Sequence, residues 1–149
     1  MTNTYGRGMR IKDARQTFLG WWIWLLLEGH EIEIFGDGRQ LRDLNYVDDA
    51  VDAFLLAACT DNAYGQVMNL GSSEVISLQD LARALVSMSG GGGFRLTEFP
   101  AERKAIDIGD YYGNYELALN VLGWKPRVPL RDGLRQTLDY FREFQDQYR

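Results

Sequence analysis

The chain has 149 residues, 46% hydrophobic and 25% charged, with a net charge of -5 and a pI near 4.9. That length suits one domain, 1–149, with its own core, and the acidic balance excludes the basic stripe of a nucleic-acid binder. The only cysteine, Cys59, excludes a disulfide framework and fits a reducing cytoplasm.

Taken in chain order, "MTNTYG" reads as the end of a strand running into a loop. A helical pattern follows from Asp13, a plausible N-cap, to Gly29, a good C-cap. Its centre, "FLGWWIWLLL", follows Arg7, Arg10, Lys12 and Arg15 like the apolar run of a signal peptide. Ten residues cannot span a bilayer, Asp13 interrupts the basic region and no small-x-small cleavage pattern follows, so a buried helix is expected. A helix apolar all round needs cover on every side, which predicts self-association as a dimer, with Trp22 and Trp24 at the seam.

"EIEIF" alternates strictly, a strand with Ile32 and Ile34 inward. "GDGRQ" reads as a hairpin turn into a second extended segment, "QLRDL". "VDDAVDAFLLAAC" opens with carboxylates at the positive end of a helix and carries an apolar face, so Cys59 is expected to be buried as a small hydrophobe. "GQVMNLGS" predicts a buried strand, as in a parallel sheet. Ser77 and Asp80 form a capping-box-like start to "LQDLARALVSM". The glycine run 90–93 follows a helix and precedes the strand "FRLTEF", the wrong order for a phosphate cradle, so it is read as a connector. Asn114 can cap "YELALNVL", which Gly123 stops, and an amphipathic helix from Leu130 carries Leu134, Leu138 and Phe141 on one stripe. Helices alternating with strands give the α/β class.

General catalytic motifs are missing. His30 is the single histidine and follows a helix-ending glycine, so neither a Ser-His-Asp triad nor a multi-histidine metal site is expected. There is no strand–GxGxxG–helix unit, hence no dinucleotide fingerprint. No tyrosine has a lysine four residues on, so the acid–base pair that would work on a sugar hydroxyl is also lacking.

The segments "TNTYG", "EIEIFGDGRQLRDLNYVDDAVDA", "GQVMNLGS…ISLQDLA", "FPAERKAIDIGD" and "ALNVLGWKPRVPLRDGLRQTL" follow one another in a familiar order. Together they resemble the C-terminal half of extended short-chain dehydrogenases/reductases, the NAD(P)-dependent nucleotide-sugar epimerases and dehydratases. The resemblance implies a few strands of a Rossmann-type sheet plus a small α/β substrate domain. It also implies that the glycine loop, the cofactor and the Tyr-x-x-x-Lys belong upstream of Met1, so that this chain binds no cofactor alone and is inactive alone.

Site residues follow from the same resemblance. Arg42 matches the arginine that grips the pyrophosphate of a UDP- or dTDP-sugar, for which a planar guanidinium is suited. The competing reading is a salt bridge from Arg42 to Asp43, Asp48 or Asp49. Asn3 matches an asparagine whose amide contacts substrate phosphate. Lys104 and Asp107 match a basic-x-x-Asp segment that meets a phosphate and the ribose hydroxyls, with Arg103 as the alternative cation. There are departures: Arg7 stands where the family has proline, and Asn114 and Leu117 replace an aspartate and a lysine.

Three readings stay open. The chain is the substrate half of an enzyme whose Rossmann half comes from a partner chain, a non-catalytic nucleotide-sugar binding module, or a truncated oligomerising protein without a small-molecule role. No nucleic acid and no membrane partner is expected.

Overall fold

The computed structural model describes residues 3–13, 16–105 and 107–148; Met1 and Arg15, which entered the sequence reading, lie outside them. Among the described residues, six strands form three two-stranded sheets. Strand β1 (Thr4–Tyr5) pairs parallel with β4 (Asn45–Tyr46). Strand β2 (Glu31–Phe35) pairs parallel with β6 (Gly93–Thr97), and β3 (Leu41–Asp43) pairs antiparallel with β5 (Val75–Ser77). Helices α1 (Phe18–Leu27), α2 (Val47–Ala58), α3 (Leu78–Ser89), α4 (Ala101–Lys104), α5 (Glu116–Leu122) and α6 (Leu130–Glu143) complete the α/β architecture.

The strict alternation of β2 is realised: Ile32 and Ile34 are buried while Glu31 and Glu33 face outward. Glu33 sits opposite Arg95 on β6 and is ion-paired with it. The main core joins these isoleucines to Leu19, Ile23 and Leu26 of α1, Leu81 and Leu85 of α3, and the Leu134, Leu138 and Phe141 stripe of α6. Ser77 caps α3 as its spacing predicts, its hydroxyl oxygen accepting the Asp80 N–H at 3.0 Å. Gly90 and Gly123 end α3 and α5 in left-handed conformation, and Asn114 accepts the Glu116 N–H at the start of α5.

Five expectations need correction. Helix α1 starts at Phe18, not near Asp13. Thr17 stays extended because its hydroxyl donates to the Arg10 carbonyl at 2.9 Å. The incoming loop lies so close to the helix that a Cβ at Gly20 would stand 2.2 Å from that same carbonyl. Second, α1 finds most of its cover within the chain: Trp22 is buried, and the Lys12 ammonium lies 4.8 Å from the Trp24 ring centroid. Trp22 is thus a core residue.

Third, residues 66–71 form no strand, and Val67 is exposed. A strand needs a ladder partner, and no ladder among the described residues includes this run. Fourth, Cys59 is exposed. The buried side of α2 is the narrow one of Asp49, Ala50 and Ala53, which leaves Phe54, Leu55 and Cys59 outside. The glycine turn is also no hairpin: Gly36 and Gly38 take positive φ, and β2 and β3 then pair with β6 and β5 instead of each other.

Arg7, at the position where the resemblance leads one to expect proline, reaches α2 and pairs with Asp48 at 3.0 Å. That hydrogen bond holds the guanidinium above its usual range. Tyr5 packs edge-on against Tyr46 and donates to the Leu130 carbonyl. Burial raises the pKa of both phenols, and the hydrogen bond with Tyr140 raises that of Tyr148.

A phenol whose folded pKa is raised contributes stability that is whole below the free tyrosine value of about 10 and falls as pH climbs above it. The urea midpoint should therefore drop between about pH 8 and about pH 11. The drop should be smaller in Tyr5→Phe, which removes the most deeply buried of these groups.

Candidate functional site

The site is organised around β3, only three residues long and therefore held by its neighbours. On one edge it pairs with β5. On the other, the Asp110 carboxylate accepts the Leu41 N–H at 2.8 Å and the Leu41 carbonyl accepts the Tyr111 N–H at 3.0 Å. Asp43, wholly buried, accepts the N–H groups of Ser72 at 3.0 Å and Gly113 at 3.1 Å. Buried carboxylates are stable where they accept such bonds. This one ties together three segments distant in sequence.

Arg42, between these anchors, is 8% exposed. One terminal nitrogen donates to the carbonyls of Leu41 and Gly109, and the other lies 4.0 Å from Asp107. The three carboxylates weighed as its partners are engaged elsewhere. Asp43 holds Ser72 and Gly113, Asp48 pairs with Arg7, and Asp49 accepts the N–H groups of Arg127 and Val128 at 3.0 Å each. Asp107, named from the sequence as a ribose contact, is the carboxylate that faces Arg42.

Arg42 opens onto a cavity of about 700 Å³. Phe18, Trp21, Trp22 and Leu25 of α1 make one wall, and Ile34 and Phe35 of β2 another. The Phe35 and Phe99 rings lie 5.7 Å apart, with the Arg103 guanidinium 5.5 Å from the Phe35 centroid. Arg103 and Asp107 lie on the polar side, and His30, Glu31, Glu33 and Arg95 line the cavity as well. Gln40 also lines the cavity, and its Oε1 is buried without a hydrogen-bond partner among the described residues.

The structure thus brings Arg42, Arg103 and Asp107 together and leaves two of the sequence candidates apart. Lys104 is exposed on α4 and does not line the cavity. Asn3, with φ of 27°, donates its side-chain amide to the Asp43 carbonyl at 3.0 Å. It lines a separate hollow of about 310 Å³ on the other side of Phe18. Sequence reasoning missed Phe35, Phe99 and Gln40. The first and last flank the glycine turn and could have been flagged there; Phe99 carries no local signal.

The glycine run offers no dinucleotide cradle. Gly90 closes α3 as its C-cap and Gly93 begins β6, so no helix starts there to receive a pyrophosphate. No cluster of potential metal ligands occurs among the described residues, nor any helix long and apolar enough to cross a membrane.

A family model described as the NAD dependent epimerase/dehydratase family matches residues 1–71. The chain is 36% identical over 117 residues to the UDP-glucose 4-epimerase of Mycolicibacterium smegmatis, covering 78% of this chain and 36% of that protein. It is 31% identical over 145 residues to UDP-glucuronic acid decarboxylase 1 of Xenopus tropicalis, covering 95% of this chain and 32% of that one. Among solved structures, the UDP-glucuronic acid 4-epimerase of Bacillus cereus, in complex with UDP-glucuronic acid and NAD, aligns with a TM-score of 0.79 at 30% identity. That match covers 96% of this chain and 44% of the other. The fold is that of the extended short-chain dehydrogenase/reductase epimerases. Residues 1–71, just under half of this chain, carry the match to the NAD-dependent epimerase/dehydratase family. The chain spans about a third of the length of the curated relatives it matches.

Replacing Asp43 by Ala leaves two N–H groups without their acceptor, at a cost of about 2–4 kcal/mol. Asp43→Asn retains a carbonyl oxygen and should lose less. Urea denaturation of the three proteins reads the difference; equal midpoints would remove the clasp.

Proposed function

We propose that this chain binds a nucleoside-diphosphate sugar in the Arg42 cavity, as the substrate-side part of an NAD-dependent nucleotide-sugar epimerase or dehydratase. The observation that carries the reading is the buried Arg42 guanidinium, anchored by β3 and facing a cavity within the volume range of small-molecule sites. A diphosphate would take the nitrogen that faces Asp107, in a setting where charge-assisted hydrogen bonds are strong. Arg103 would supply a second cation and Asp107 two acceptors for a vicinal diol. The Phe35–Phe99 pair offers a stacking surface for the base, and Gln40 Oε1 an acceptor for one of its N–H groups. Lys104, next to Arg103, and Asn3, across Phe18, would join only with a change of side-chain position.

NAD supplies hydride transfer when it is bound in the complete family enzyme. The described residues do not fit that cofactor, because the one glycine run ends a helix. No step of the reaction is therefore assigned to this chain, whose part is to hold and orient substrate. Its free cysteine supports a reducing cytoplasm as the compartment.

Two titrations test the reading. UDP and dTDP should bind the wild type, and Arg42→Ala should weaken binding about ten- to a hundredfold, the loss of about 1.5–3 kcal/mol. Arg83→Ala, on the exposed side of α3, should leave binding unchanged; equal affinities in all three would remove the phosphate role. NAD and NADP should show no micromolar binding by calorimetry, and a micromolar isotherm would contradict the assignment of the cofactor to another half.

A further inference from the structure

Helix α6 carries Arg131, Arg135, Leu138 and Arg142 at spacings of four, three and four, which sets them on one face. Leu138 is wholly buried, so this face borders the seam where α6 packs on α3. The three guanidinium groups line a hollow of about 260 Å³ together with Ser87 and Met88 of α3 and Asp139 of α6. It shares no lining residue with the Arg42 cavity.

The three arginines are not equivalent. Arg142 is committed to structure: one terminal nitrogen donates to Asp139 at 3.1 Å, and the other to the Met88 and Ser89 carbonyls at 2.8 Å each, at the end of α3. The side chains of Arg131 and Arg135 have no hydrogen bond or ion pair among the described residues. Their placement also runs against helix electrostatics. Like charges four residues apart repel, and Arg131 stands in the first turn, where the helix end is already positive. No free carboxylate offsets them at the hollow. Asp139 is taken by Arg142, while Asp132 and Asp80, the latter paired with Arg83, do not line it. The Ser87 hydroxyl donates to the Ala84 carbonyl at 2.7 Å. Three cations thus face one engaged anion, in a chain whose net charge is -5.

We propose that this hollow is a second anion site, for the phosphate group of a small phosphate monoester, with Arg131 and Arg135 as its ligands and Arg142 as a third, prepositioned cation. Planar guanidinium forks present paired N–H donors that match phosphate oxygens. A dianion relieves both the repulsion between the two arginines and the conflict of Arg131 with the helix end. The volume lies below the about 300 Å³ at which pockets for drug-sized ligands begin, which suits a phosphate on a small carrier better than a nucleoside diphosphate. The site stands independently of the nucleotide-sugar reading.

The test is thermal unfolding and calorimetry of the full chain with inorganic phosphate and with glycerol 3-phosphate, each against sodium chloride of equal ionic strength. Both phosphates should raise the melting temperature where chloride does not, and Arg131→Ala and Arg135→Ala should each weaken binding about tenfold or more. Arg83→Ala, outside the hollow, and Arg42→Ala, in the other cavity, should keep the wild-type affinity. Without phosphate, the Arg131 and Arg135 variants should melt no lower than the wild type, since each loses a repulsion and no partner; a lower melting temperature in both gives the arginines a structural role and overturns the proposal. A response lost in Arg42→Ala but kept in the other two also overturns it, because the phosphate then sits in the first cavity. So does a response that chloride reproduces, or binding of inorganic phosphate without glycerol 3-phosphate, which leaves an ion site only.

Discussion

The buried carboxylate of Asp43 is the constraint on which the site depends. A three-residue strand has too few ladder bonds to fix its own place. Asp43 supplies the missing anchorage by accepting N–H groups from residues 72 and 113, on either side of β3. Hydrogen bonds to a charged acceptor contribute about 1.5–3 kcal/mol each, comparable with a sizeable fraction of a domain's net stability. Asp110 adds a third anchor at Leu41. The residue held between these two acids is Arg42, so the strand that closes the fold also aims the guanidinium.

A guanidinium so deeply buried needs acceptors, since removing an ion from water costs several kcal/mol even after relaxation. Arg42 has two backbone carbonyls and a carboxylate at 4.0 Å, a looser arrangement than a bidentate pair. The neighbouring acids are committed to backbone N–H groups or to Arg7 and do not compete for it. Its remaining donor capacity faces a cavity with aromatic side chains on one wall, the place proposed for a diphosphate. The same logic explains Asp49: both its oxygens hold the 127–128 backbone, and its own carbonyl accepts the Trp124 indole N–H at 2.8 Å. One acid builds the site and the other docks α2 onto the C-terminal segments.

Much of this was legible from residue pattern. The alternation of Ile32 and Ile34, the Ser77 cap, the left-handed Gly90 and Gly123, and the Leu134–Leu138–Phe141 stripe are local signals, and local physics decided them. Arg42 and Asp107 were named from motif resemblance and do face each other. What failed depended on partners distant in sequence. Cys59 looks buried in an apolar run, but only tertiary packing determines which side of α2 is covered. Residues 66–71 read as a strand because composition reports propensity and not the presence of a neighbour. The start of α1 is set by the Thr17 contact with Arg10, which no helix signal records. Arg103 rather than Lys104 faces the cavity because the short α4 turns one of two adjacent cations inward.

The most direct measurement is a crystal structure of this chain with UDP. The account predicts the diphosphate within hydrogen-bond distance of Arg42, the base against Phe35 and Phe99, and the ribose beside Asp107, with β3 unmoved. UDP bound away from Arg42, or a β3 that must leave Asp43's partners to admit it, would contradict the claim that this strand presents a preformed phosphate site.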